Sequence, residues 1–276
     1  MSKAVLTEYQ VNIPYPVPQE LVIAHVSDLH ERICDDVLRL LSRVKPDFIV
    51  VTGDTFERYD NRPQYDFEHR PVKRLIINAI HYTNYLLTML QSRKKKPNSE
   101  NSYNFLRKAA RIAPVYLSLG NHEQLLRDED YAFLQENGIV LLDNASVTIR
   151  YKGCEIDLGG ISTWDYEEFI EAYKAQKGFK LLLCHNPQFY VDNLTDSDIA
   201  LTLSGHTHGG QVRIGKKGRG FFVPGQSLFG KYAHGSFFDN RLIVSAGCSN
   251  TVACPRFGNP RELVVIRLKG NANEHV

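Results

Sequence analysis

Nowhere does the 276-residue sequence run to the roughly 18 consecutive apolar residues that a membrane-spanning helix needs. Its first twenty residues, MSKAVLTEYQVNIPYPVPQE, lack the apolar core and small-residue cleavage site of a secretory leader. Cysteine is sparse: Cys34, Cys154, Cys184, Cys248 and Cys254 are odd in number and show no CxxC spacing. That excludes a cysteine-built zinc site and a disulfide framework, and leaves free thiols and a cytoplasmic location as the expectation. Charge of one sign is also missing, since 33 Lys and Arg face 31 Asp and Glu for a net +2. A nucleic-acid footprint needs clustered basic residues, and only Lys94, Lys95 and Lys96 speak for one. Internal repeats and dividing linkers are absent. The composition that remains, 43% hydrophobic and 23% charged, is that of a folded protein with a sizeable core. A single α/β domain over residues 1–276 is expected, with an insertion around 60–110.

Apolar runs alternate with helical patterns through the first half. LVIAHVS (21–27) and FIVVTG (48–53) read as buried strands on either side of a helix capped by Asp35 or Asp36 and stopped by Pro46, a parallel strand–helix–strand unit. A helical pattern fills 70–92, and KKKPNSENS reads as a solvated loop. A helix resumes near FLRKAARI. APVYLSLG (113–120) is a third strand, and DEDYAFLQENG a helix closed by Gly138. IVLLDN follows as a strand, and Lys152-Gly153 turns a hairpin. Gly178 ends a helix over DYEEFIEAYKAQKG. KLLLCH (180–185) and IALTLSGH (199–206) are buried strands, and the last third is largely β, with a hairpin at Asp239-Asn240 and a final strand ELVVIRL.

The residues with metal-ligand character fall at the carboxyl ends of those strands: Asp28 and His30, Asp54, Asn121 with His122 and Glu123, His185, then His206 and His208. Ligands of α/β sheets bind outside the carboxyl ends of the strands, so five such ends make one convergent site. Imidazole with carboxylate suits Zn, Fe, Mn or Co better than Mg or Ca. Period two in an extended segment puts Asp28 and His30 on one side, and likewise His206 and His208. Gly53, Gly120 and Gly205 let the backbone turn at the ligands. Taken singly, DxH and GD are weak signals; GHTHGG is the strongest, and the ordered conjunction decides.

The pieces SDLH (27–30), TGD (52–54), GNHE (120–123), CHNP (184–187) and SGHTHGGQ (204–211) resemble the signature of calcineurin-like metallophosphoesterases. The tail VSAGCSNTVACPRFGNPREL (244–263) is similar to that of a bacterial subgroup with expected phosphodiesterase activity. The resemblance implies a four-layer sandwich of two mixed sheets flanked by helices. It implies two divalent ions: one held by Asp28, His30, Asp54 and His208, the other by Asp54, Asn121, His185 and His206, with Asp54 bridging. It further implies hydrolysis of a phosphodiester or phosphomonoester by a hydroxide held between the ions. In that scheme His122 donates to the leaving group and Glu123 orients it. Glu123 stands where the family more often has Asp, and the 54-to-121 interval is long.

Lesser candidates are Arg58, at the offset of a phosphate-contacting arginine in phosphoprotein phosphatases, and Gly209, Gly210 and Gln211, whose amides suit a phosphate oxygen or simply form a turn. His234 reads as a solvated loop residue, His25 and Cys184 as core. Trp164 suits either the cleft or packing. The expected partner is a small phosphorylated substrate, with the oligomeric state open. A metal-poor binding scaffold of the same fold and a nuclease are the alternatives.

Overall fold

The structure, a computed structural model, describes residues 3–58, 98–162, 165–214, 219–223, 227–250 and 255–270. The helical pattern of 70–92, most of the expected insertion, Trp164 and Cys254 lie outside these residues.

Two runs that read as continuous apolar strands, β2 (Leu21–Val26) and β3 (Phe48–Thr52), are buried on both faces apart from Val22, as parallel strands covered on each side must be. They pair in parallel at the centre of a six-stranded mixed sheet with β1 (Val5–Ile13), β4 (Val115–Ser118), β5 (Val140–Leu142) and β16 (Glu262–Gly270), in the order β1-β16-β2-β3-β4-β5. β16 runs antiparallel to β2 and parallel to β1, so the first and last strands of the described residues lie side by side. A second six-stranded mixed sheet orders β14 (Gly235–Phe237), β15 (Leu242–Val244), β9 (Leu201–Ser204), β8 (Lys180–Cys184), β7 (Cys154–Ile161) and β6 (Ala145–Tyr151), and two short antiparallel pairs, β10 (Arg213–Ile214) with β11 (Arg219–Gly220) and β12 (Phe222–Val223) with β13 (Ser227–Leu228), precede β14.

Three apolar cores separate four layers. Helices α1 (Asp35–Val44), α2 (Ser99–Ala110) and α3 (Asp128–Glu136) pack Leu41, Phe105 and Phe133 against Val26, Val51 and Leu117. Between the sheets, Ile23, Phe48 and Val50 meet Leu158, Leu183 and Leu203. On the far side, α4 (Glu167–Ala175) and α5 (Pro187–Asn193) set Ile170, Tyr173 and Tyr190 on Leu182 and Val244. This is the expected four-layer α/β sandwich of two mixed sheets flanked by helices. No helix among the described residues is long and apolar enough to cross a membrane. Cys34, Cys154, Cys184 and Cys248 are buried free thiols.

Several boundaries differ from the sequence expectation for local reasons. Neither Asp35 nor Asp36 caps α1. Cys34 holds the N-cap position, while Asp36 accepts from the Ala4 amide at 2.8 Å and pairs with Arg261 at 2.6 Å, tying the chain's first strand and last strand to the helix. α2 starts earlier than expected because the Asn98 side chain caps the Glu100 amide. α4 ends before Gly178. Its carboxyl end is satisfied by the buried Lys180 ammonium, which donates to the carbonyl oxygens of Lys174 and Gln176. β1 was not anticipated, being half-exposed and without a clean apolar run.

Candidate metal centre

β2, β3 and β4 of one sheet and β8 and β9 of the other all end at one seam, where their following loops interlock. The Asp28 amide donates to the Gly53 carbonyl at 3.1 Å and the His30 amide to that of Asp54 at 2.8 Å. Within the second sheet's edge Gly205 donates to His185 at 3.0 Å, and beyond β15 the Cys248 amide donates to Ser27 of the first sheet at 2.8 Å. These bonds fix the loops against each other before any side chain is considered.

The ligand-bearing segments are not extended, contrary to the period-two expectation. Asp28, His30, Asp54, His206 and His208 all have positive φ, between 47° and 69°. Non-glycine residues rarely adopt this left-handed region, and each costs on the order of 1 kcal/mol, so the fold holds strain at these positions. The turn-by-turn reversal still converges the side chains. Gly205 serves close approach here: a Cβ there would land on Ser27 Oγ and 2.6 Å from Asp28 Oδ2. Gly205→Ala is expected to destabilise the protein by about 1–3 kcal/mol, the usual scale of overpacking, and to weaken metal binding by displacing Asp28. Thermal unfolding with and without metal checks it; an unchanged melting temperature and metal content would refute the packing argument.

The seven expected ligands do come together. Asp54 Oδ2 lies 3.4 Å from His30 Nε2 and 3.2 Å from His185 Nε2. On one side, His208 Nε2 is 3.3 Å from His30 Nε2 and 3.5 Å from Asp28 Oδ1. On the other, Asn121 Oδ1 is 3.1 Å from His185 Nε2 and 2.8 Å from His206 Nδ1. Ligand atoms of Asp28, His30, Asp54 and His208 lie within 4.8 Å of one another, as do those of Asp54, His185 and His206. The cluster is thus two groups that share Asp54.

The hydrogen bonds behind the rings say what belongs between them. His30 Nδ1 faces a Glu57 carboxylate oxygen at 2.8 Å, and His185 Nδ1 faces the Thr52 carbonyl at 2.6 Å. Both partners only accept, so each Nδ1 carries a proton and each ring turns its Nε2 on Asp54, where the neutral ring would present a lone pair. Acceptors converging on acceptors require a cation. Asp28 Oδ2 is likewise buried, with no hydrogen-bond partner among the described residues. The donor set of imidazole, carboxylate and amide oxygen fits divalent transition metals.

With protons as the only available cations, the rings divide. Burial disfavours a charged His30, but the Asp28 and Glu57 carboxylates beside it outweigh this and hold its pKa at about 10. Burial likewise opposes charge on His185, and Asp54 overcomes it, giving about 9. Burial pulls His206 down to about 4 and His208 to about 3. Asp54, despite burial, is held well below the usual carboxylate range by His185 and His122.

Around the cluster, two assignments shift. Glu123 was expected to orient His122. Instead its buried carboxylate accepts the amides of Asp54 (2.8 Å), Thr55, Phe56 (2.9 Å) and Gly120 (2.7 Å), clamping the Asp54 turn to the Gly120 turn. The residue on the His122 ring is Glu57, overlooked in the sequence because nothing distinguished it from a surface glutamate. Its Oε2 is 2.9 Å from His122 Nδ1 while Oε1 holds His30. Its carboxyl, opposed by burial, is lowered to about 2 by these two imidazoles. His122 Nε2 lies 3.8 Å from Asp54 Oδ2, and its side chain, 27% exposed, is the open one beside the cluster. Arg58 is buried. Its guanidinium donates to Glu31 at 2.6 Å, to both Asp130 oxygens at 2.8 and 2.9 Å, and to Ser99 at 2.9 Å, joining the amino ends of α2 and α3 to the site loop.

Among known proteins, the model of the calcineurin-like phosphoesterase family matches residues 21–210, from β2 through the turn carrying His206 and His208. The chain belongs to the calcineurin-like phosphoesterase family. Members of this family are metal-dependent phosphoesterases, and every residue of the cluster lies inside the match. Bacillus subtilis YpbG is 28% identical over 91% of this chain and 82% of its own length. The B. subtilis metallophosphoesterase YkoQ is 26% identical over 90% and 83%. The Escherichia coli phosphodiesterase YaeI is 28% identical over 44% of this chain and 49% of its own.

Within this phosphoesterase scaffold the turn after His208 is internally occupied. The Gly210 amide donates to Thr207 at 2.7 Å and that of Gln211 to His208 at 3.3 Å, while a Cβ on Gly209 would collide with Asn259. His234, expected in solvent, lies 3.0 Å from the buried Glu262 carboxylate. His25 is core, its Nε2 2.8 Å from Thr52 Oγ1, and Cys184 is buried in β8. Arg256 stands against the cluster from the C-terminal tail. Its guanidinium donates to Ala246 at 2.6 Å and to Ser249, and lies 3.3 Å from His208 Nδ1.

Proposed function

We propose that this chain hydrolyses phosphate esters at a dinuclear metal centre, with Asp54 shared between the two ions. The observation that supports it is the single Asp54 oxygen standing between His30 and His185, each ring turning its Nε2 on it. Asp28, His30, Asp54 and His208 would hold one ion, and Asp54, Asn121, His185 and His206 the other. Divalent ions there would supply charge neutralisation for the phosphate and acidify a coordinated water toward a pKa of about 7.

The chain's own groups do the rest. Buried loops locked by amide–carbonyl bonds keep the ligands from rearranging, so little reorganisation accompanies reaction. Attack by water in line with the leaving group builds negative charge on the departing oxygen. His122 sits at the open edge with its Nδ1 proton directed to Glu57, and burial, which opposes its charge, is outweighed by Asp54 and Glu57, so its pKa is raised. The protonated ring donates from Nε2 to that oxygen. Glu57 thereby positions both the donor and the ligand His30. Arg58, held by two carboxylates, serves the architecture of the loop.

Bis-p-nitrophenyl phosphate with Mn²⁺, Fe²⁺, Co²⁺ and Zn²⁺ in turn is the assay. Hydrolysis strictly dependent on metal is expected, and no turnover with any of them overturns the proposal. His122→Ala is expected to lower kcat by about 10²–10⁴-fold, the range of a general acid, with metal content unchanged. A loss of metal together with activity would instead make His122 a structural part of the centre.

A further inference from the structure

The four most exposed large apolar side chains among the described residues are Phe257 (70%), Ile33 (66%), Leu125 (63%) and Phe229 (57%). Each sits on a segment that carries a residue of the cluster or is bonded to the turn after His208. Ile33 follows His30 on its loop and Leu125 follows His122 on its own. The Phe257 amide donates to Gln211 in the turn after His208. Phe229 packs edge-on at 5.4 Å against Phe221, whose amide donates to Val212 beyond the same turn. A soluble surface scatters such residues singly, and grouping at one site marks something apolar that binds there.

Charge points the same way. Asp28, Asp54 and Glu57 bring three carboxylates to the cluster. Two arginines beside it among the described residues direct their guanidinium groups into protein: Arg58 to Glu31 and Asp130, Arg256 to the carbonyl oxygens of Ala246 and Ser249. A phosphomonoester dianion gains most from free guanidinium forks, which these two do not offer. A phosphodiester carries one charge fewer and a second organic arm.

Building on the hydrolase reading, we infer that the substrate is an organic phosphodiester whose retained arm is apolar and lies on the collar of Ile33, Leu125 and Phe257. Water oxygen forms the new bond to phosphorus, and the bond to one arm breaks. That arm leaves as an alcohol with the transferred proton, and the other stays on the phosphomonoester product. Both a long alkyl chain and an aromatic ring fit this chemistry.

The test is a series of p-nitrophenyl phosphodiesters with methyl, butyl, octyl, phenyl or thymidine 5′ arms, beside the monoester p-nitrophenyl phosphate, on the metal-loaded full chain. The monoester is expected at least about tenfold below the methyl diester in kcat/KM. The octyl ester is expected about a hundredfold above it, a fraction of the roughly fourfold per methylene that full burial gives. Octyl against phenyl separates a chain-bearing source from an aromatic one. Ile33→Ser, Leu125→Ser and Phe257→Ser are each expected to cut the octyl advantage several-fold while leaving the methyl ester unchanged. Equal rates for octyl and methyl arms, a thymidine arm above octyl, or a preferred monoester overturns the inference while the hydrolase reading stands. No turnover of any ester overturns both.

Discussion

Asp54→Asn is expected to lower kcat by about a thousandfold or more and to reduce bound metal from two ions per chain to one or none. The magnitude follows from removing the charge that both ions would share, several kcal/mol of stabilisation at a carboxylate that is itself buried. The geometry makes the substitution severe although it is isosteric. Asp54 Oδ2 faces Nε2 of His30 and of His185, and Oδ1 accepts the His122 amide at 3.0 Å. An amide either sets an N–H beside the two rings or loses the His122 bond. Metal analysis of the purified variant, alongside the diester assay, separates this from simple unfolding. A variant that keeps two ions and full activity would show that Asp54 does not bridge.

Glu123→Ala is expected to cost at least about 4 kcal/mol of stability and to abolish metal retention. Its carboxylate accepts four backbone amides in a buried position, and truncation orphans all of them, at roughly 1–3 kcal/mol each before relaxation or water entry. The midpoint of urea unfolding in the presence of chelator reads the stability loss without the contribution of metal. Glu123→Gln is milder: an amide oxygen can keep two of the bonds, and its nitrogen opposes the others. A Glu123→Ala midpoint within experimental scatter of the unmodified protein would mean that the clamp contributes little.

Much of this site was legible because strand and ligand signals coincide. Apolar runs such as FIVVT end where polar ligands begin, and that juncture is visible in sequence. The seven ligands carry chemistry in their side-chain types, and the structure brings all of them to one seam. What sequence did not show depends on contacts across long separations. Glu57 is an ordinary glutamate until the fold sets His30 and His122 on its two oxygens. Glu123, adjacent to His122 in the chain, turns instead to the amides of the Asp54 turn. The left-handed backbone at Asp28, His30, Asp54, His206 and His208 reverses the extended reading, because loop interlocking overrides the local preference. β1 is fixed by its partner β16, more than 250 residues away, rather than by its own pattern.

The proposed sharing of Asp54 by two ions is tested most directly by electron paramagnetic resonance of the metal-stripped protein titrated with Mn²⁺. Two equivalents are expected to bind, and the spectrum at the second equivalent is expected to show exchange coupling between the two ions. A signal that saturates at one equivalent, or two magnetically isolated ions with six-line spectra, would contradict it.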